Sequence, residues 1–224
     1  MRIGFVSRGR LRAFKESLEK DCQEKTADIL LFGFEGMGEV SYEKELKGES
    51  VFFEDAALLS KAQKSIVVCG CVTDTRGHKR KSAIVAENGR ISGVSDMLNA
   101  IDGEIACGAA LRIYDTKLGR MGVAVAEDIY FPEIVRSLAV CGCDFIVCPA
   151  GRVTDSLQSV LLRAYAYCYG VPLFFCGAGY GMIADGSGSV AFASPLSPVY
   201  TDFENAREYH LIETRKRGFF RTGM

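Results

Sequence analysis

The sequence predicts an α/β fold, a layered sandwich built on one mixed sheet or on two packed sheets. Three observations carry this. Strand-like and helix-like segments alternate towards both ends of the chain, and two hairpin-like segments interrupt them in the middle. The 224 residues, 48% hydrophobic and 25% charged, are enough for one core. No internal repeat, low-complexity tract or linker divides the chain, so a single domain over 1–224 is expected.

Residues 2–7 (RIGFVS) read as a first strand. Leu11, Phe14, Leu18 and Cys22 then fall at helical spacing, with charges between them. Residues 27–35 (ADILLFGFE) form a second buried strand, followed by a glycine-containing loop. A helix over 53–63 and a strand over 65–72 come next. Asn88-Gly89, between two apolar runs within 82–94, is a strong two-residue hairpin signal. Residues 110–128 repeat the pattern, turning at TKLGR (116–120). Pro132 suits the first turn of a helix, Glu133 suits its positive end, and Gly142 stops it. A strand over 143–151 and an amphipathic helix over 156–170 follow, then strands at 172–179, 189–195 and 208–215.

Composition narrows the function. With 27 basic and 28 acidic residues the formal charge is -1, so no nucleic-acid partner is expected. The basic runs RGHKRK (76–81) and RKR (215–217) read as a solvated loop and a solvated tail. No apolar run approaches a membrane span, and residues 1–10 have no signal-peptide character, so a cytoplasmic protein with no membrane partner is expected. The nine cysteines are then reduced thiols. Cys69-Gly-Cys71 and Cys141-Gly-Cys143 lack the C-x-x-C spacing of a zinc knuckle and read as packing residues, so no metal is expected. GAGYG (177–181) lacks the helix that a dinucleotide loop requires, and no cofactor is expected. His78 and His210 are the only histidines, and neither belongs to a Ser/His/Asp arrangement.

Three segments in a fixed order carry more. They are DILLFGFEG (28–36), KSAIVAENGRISGVSDML (81–98) and LGRMGVAVAEDIYFPEIVRSLAVCGCDFIVCPAG (118–151). Together they resemble the nitrilase superfamily, the carbon–nitrogen hydrolases, and the third is similar nearly position by position to that family's nucleophile strand, turn and FPE helix start. AYCYGVPLFFCGAG (166–179) and DGSGSVAFAS (185–194) extend the likeness. The resemblance implies an αββα sandwich that pairs into an αββα–αββα homodimer through helices near 132–142 and 156–169. It also implies a mechanism: a glutamate base, a cysteine that attacks an amide or nitrile carbon, and a lysine that stabilises the oxyanion. A thiol is readily activated by a nearby base, and a fixed ammonium stabilises charge that appears only in the transition state.

Carried over residue by residue, the likeness is uneven. The general-base position falls on Glu35, with Phe34 in place of the usual proline. The lysine position falls on Met97, or on Asp96 if shifted by one, and neither supplies a cation. The nucleophile position, fixed by Asp128, Phe131, Pro132 and Glu133, is Ala126, followed by an unusual Glu127. Glu104 is the candidate accessory glutamate, and polar positions of the later helix appear as Tyr165, Cys168 and Tyr169. Removing one oxyanion donor costs roughly a hundred- to a thousand-fold in rate, and losing the nucleophile ends the covalent route. The sequence thus points to a family member without the Glu-Lys-Cys chemistry that binds a small amide or amine, or serves as a structural homodimer. The alternative is an amidohydrolase using Glu35 with water, or a relocated thiol, Cys148 or Cys176, facing the pocket beside Glu127.

Overall fold

In both sheets the central strands are buried on two faces, and the parity of their residues sorts the core into three layers. The computed structural model describes residues 1–20, 26–100, 103, 105–152 and 156–204. The chain runs β1 (Arg2–Val6), α1 (Leu11–Lys20), β2 (Ile29–Phe32), β3 (Glu39–Ser41), α2 (Tyr42–Lys47), α3 (Phe52–Gln63) and β4 (Ile66–Thr75). It continues through β5 (His78–Glu87), β6 (Arg90–Asp96), β7 (Ile113–Thr116), β8 (Gly119–Val123), a 3₁₀ turn (Ala126–Tyr130) and α4 (Pro132–Val140). Then come β9 (Phe145–Arg152), α5 (Leu157–Tyr169), β10 (Leu173–Ala178), β11 (Tyr180–Ala184), β12 (Val190–Ser194) and β13 (Val199–Asp202).

One sheet has the order β13-β1-β2-β4-β5-β6, with β3 also paired to β4, and the other β12-β11-β10-β9-β8-β7. Each has a parallel centre, β1-β2-β4 in one and β8-β9-β10 in the other, flanked by antiparallel strands. Alternate residues face alternate sides of a strand. Ile29, Leu31, Ile66, Val68, Ala83, Val85, Phe145, Val147, Phe174 and Cys176 meet in the core between the sheets. Leu30, Phe32, Val67, Cys69 and Ile84 face outwards under α1 and α3. On the other sheet Ile146, Cys148, Leu173 and Phe175 face α4 and α5. Burial on both faces is why these strands read as unbroken apolar runs. The arrangement is the expected αββα sandwich.

Local chemistry sets the ends of the elements. Asn88 and Gly89 take φ of 54° and 78°, the paired left-handed geometry of a tight hairpin turn. Pro132 opens α4, and Gly170 closes α5 at φ 63°.

Some expectations differ from the structure. Part of the glycine-containing loop after β2 is ordered as β3 and α2, and residues 199–202 form a strand antiparallel to β1. The basic run 76–81 is not a solvated loop: Arg76 and Gly77, at φ 53° and 85°, make a second tight turn, and β5 starts at His78. The expected strand at 208–215, together with Cys22, Glu104, His210 and 215–217, lies outside the described residues.

Candidate functional site

The site lies where the two sheets close on each other at the carboxyl ends of their parallel strands. The Phe34 amide donates to the Ala150 carbonyl at 2.9 Å, and the Gly179 amide to the Ser7 carbonyl at 3.0 Å. Backbone thus bridges the sheets directly. The contact needs small residues: a Cβ on Gly70 would sit 2.6 Å from the Phe34 Cα.

At the end of β8 the chain passes through Ala124 and Val125 into the 3₁₀ turn, and Ala126 takes φ 50°. A non-glycine residue there is strained by about 1–2 kcal/mol. The strain persists because the flanks are held. Ile129 packs under α4, and Asp128, 1% exposed, is locked by hydrogen bonds. Its carboxylate accepts from the Leu98 amide at 3.0 Å, the Asn99 amide at 2.9 Å and the Asn99 side-chain amide at 3.0 Å. Burial pushes the Asp128 carboxyl up, against the pull of these donors. Asp128 therefore ties the segment after β6 to the turn that holds Ala126. Farther along the turn, the Gln158 side chain donates to the Tyr130 hydroxyl at 2.7 Å, joining α5 to it.

Met97 is 1% exposed and lies in the same inter-sheet cluster as Ala126 and Cys176. Its one-residue neighbour Asp96 instead accepts from the Ser82 hydroxyl at 2.7 Å, so the inward position belongs to Met97. Glu35 is exposed in the turn after β2 and makes no hydrogen bond or ion pair among the described residues. Phe34, half-buried, is the residue of that turn packed against the inter-sheet core. The carboxylate that reaches the elbow is Glu127, directly after Ala126.

The cysteines separate by parity. Cys176 faces the inter-sheet core, whereas Cys148 faces α4 and α5, away from Ala126. Burial pushes both thiols well above their ordinary range; at Cys148 the charge of Asp128 adds to this. Neither is a thiolate at neutral pH, and a buried neutral thiol is a poor nucleophile. Among the described residues no three His, Cys, Asp or Glu side chains converge as a metal site requires, and no helix is long and apolar enough to cross a membrane.

One functional candidate escaped the reading of the sequence. Lys81 shares the inward parity of Ala83 and Val85 on β5, and its ammonium donates to Glu127 Oε1. The same ammonium lies 5.9 Å from the centroid of the Phe34 ring. The Lys81 carbonyl accepts from the Met97 amide at 2.8 Å, so a cation arises beside the position where the side chain is Met97. Glu127 Oε2 is buried with no hydrogen-bond partner among the described residues. The signal was Arg76-Gly77: read as a turn, it starts the following strand at His78 and puts Lys81 in phase with inward-facing Ala83 and Val85.

Solved structures similar to this chain in three dimensions include amidases. An amidase from Nesterenkonia sp. AN1, NitN, superposes with TM-score 0.73 at 17% identity, over 96% of this chain and 98% of that one. A cysteine-to-alanine mutant of the Nesterenkonia AN1 amidase from the nitrilase superfamily gives 0.74 at 18% identity, over 89% and 88%. A cysteine-to-alanine mutant in complex with butyramide gives 0.70 at 17%, over 89% and 88%. At these identities the likeness shows the fold. Comparison with curated protein sequences gives no match. The profile of the carbon-nitrogen hydrolase family matches residues 36–198, well over half of the sequence, and the chain belongs to that family.

Proposed function

We propose that this family member does not run the Glu-Lys-Cys amidase reaction and instead binds a small ligand, an amide or an amine, as a homodimer. The observation that carries the reading is Ala126 in the strained turn: the position that the family resemblance assigns to the nucleophile holds φ 50°, and its side chain has no nucleophile. Two placements support it. The lysine position is a buried methionine, and Phe34 takes the inward place beside the exposed Glu35. Binding without hydrolysis fits the fold, since a cysteine-to-alanine mutant of a like-folded amidase is described in complex with butyramide. The dimer is supported by apolar side chains left exposed on α4 and α5, namely Val140, Leu157, Val160 and Tyr167. A relocated thiol is not favoured, because Cys148 and Cys176 are buried and protonated at neutral pH.

Ammonia release from a panel of short aliphatic amides tests the reading. The expected result is no release above a blank for the natural chain. Release that disappears in Glu35→Gln would overturn it in favour of a Glu35-driven hydrolase. Release that disappears in Cys176→Ser would overturn it in favour of a relocated thiol.

A further inference from the structure

We propose that Lys81 and Glu127, paired beside the turn that holds Ala126, are a ligand-recognition pair, and that their mutual neutralisation selects an uncharged ligand carrying a hydrogen-bond acceptor beside a donor. This rests on the reading of the elbow as a ligand site. The acidic residues there would, taken alone, invite a cation. The structure alters that balance, because Lys81 already donates to Glu127 Oε1 and leaves the pair with no net charge.

What the pair still offers a ligand is polar but not ionic in sum. Glu127 Oε2 is buried and unpartnered, and it requires an N–H or O–H donor. An ammonium has three donors, and that of Lys81 gives one to Glu127 Oε1, leaving capacity to donate to an acceptor oxygen. Its side chain is 24% exposed and that of Glu127 29%, so the pair borders solvent, while Oε2 itself is covered and a donor must enter beside it. The Phe34 ring lies 5.9 Å from the ammonium, at the outer reach of a cation–π contact. The ligand's acceptor would take a proton bond from Lys81 Nζ while its donor serves Glu127 Oε2. A monovalent cation would meet a carboxylate already neutralised, beside a fixed ammonium. A monovalent anion would meet Glu127. Both carry a repulsive term and a desolvation cost that an uncharged ligand lacks.

The test is an amide-proton NMR titration of the full chain at pH 7 with three probes of similar skeleton: propionamide, propylamine and propionate. The natural chain is expected to bind propionamide at least about tenfold more tightly than either ion. In Lys81→Met the unpaired carboxylate should move the preference to propylamine, and in Glu127→Gln the unpaired ammonium should move it to propionate. Lys81→Gln, with a polar end, repeats the first arm should the methionine variant fold poorly, and spectral dispersion reports the fold. Selectivity unchanged in these variants would overturn the assignment, as would tighter binding of propylamine than of propionamide, or no binding of any probe. Ammonia appearing during the propionamide titration would instead overturn the non-hydrolytic reading, while the switch in selectivity would still score the pair.

Discussion

Ala126 holds a backbone conformation that its own side chain disfavours, and the balance at this residue can be worked out. Relief of the left-handed strain by Ala126→Gly is worth about 1–2 kcal/mol. Against it stand the larger chain entropy of glycine, about 0.5–1 kcal/mol, and the lost burial of one methyl, about 0.8 kcal/mol. The expected outcome is a change within about 1 kcal/mol in urea unfolding. Ala126→Val, which adds β-branching to a left-handed residue, should cost more than about 2 kcal/mol by the same measurement. At this scale the sequence was legible where a rigid motif anchored it. Asp128 and Phe131-Pro132-Glu133 put Ala126 in the turn between β8 and α4, and the hairpin signal puts Met97 just after β6, as the structure has them. It was less legible where a role depends on strand parity. Cys148 lies one residue from inward-facing Val147 and so faces the helices, and Phe34 rather than its neighbour Glu35 packs against the core.

Among the elements, α1 is clamped to α3 by one carboxylate. Asp55, on α3, accepts from Arg12 and Lys15 of α1, both at 2.9 Å. Burial raises its pKa, but the hydrogen bonds and charges of Lys15 and Arg12 outweigh this and hold the carboxyl below its ordinary range. Its folded pKa is depressed, so the clamp contributes fully above the unfolded value near 3.8 and is lost as pH falls through the lower folded value. Asp55→Asn should therefore lower stability by about 1–2 kcal/mol at pH 7, a figure kept small because Arg12 is half exposed, and by much less near pH 2. Thermal unfolding across that range is the check. Hairpins followed the same logic of legibility. Asn88-Gly89 stands out between apolar runs, whereas Arg76-Gly77 is masked by the charges around it. Those charges are only half solvated: Lys79 pairs with Glu39 at 3.0 Å, and Lys81 turns inward to Glu127.

For the whole molecule, the two sheets and their outer helices make a sandwich whose layers were readable from alternation and apolar runs. The closure of the sheets was not, because it rests on backbone hydrogen bonds between distant segments, such as Phe34 to Ala150. The proposed dimer belongs to this scale. Leu157→Lys combined with Val160→Glu on α5 should shift the mass in solution from twice the 24.4 kDa chain to a single chain, read by light scattering. An unchanged mass would place any self-association on another face.

The pairing of β1 has a consequence for how this chain is made. β1 leaves the ribosome before the other described strands, yet one of its two edges is completed only by β13, almost two hundred residues later: Arg2 sits opposite Asp202, and Phe5 opposite Val199. β2 and β4 can join β1 early, so a partial sheet forms with an apolar edge open throughout synthesis of the second sheet. Contacts of such long sequence separation slow folding. The nascent protein is thus most exposed to misassociation during that interval, while β1 waits for β13.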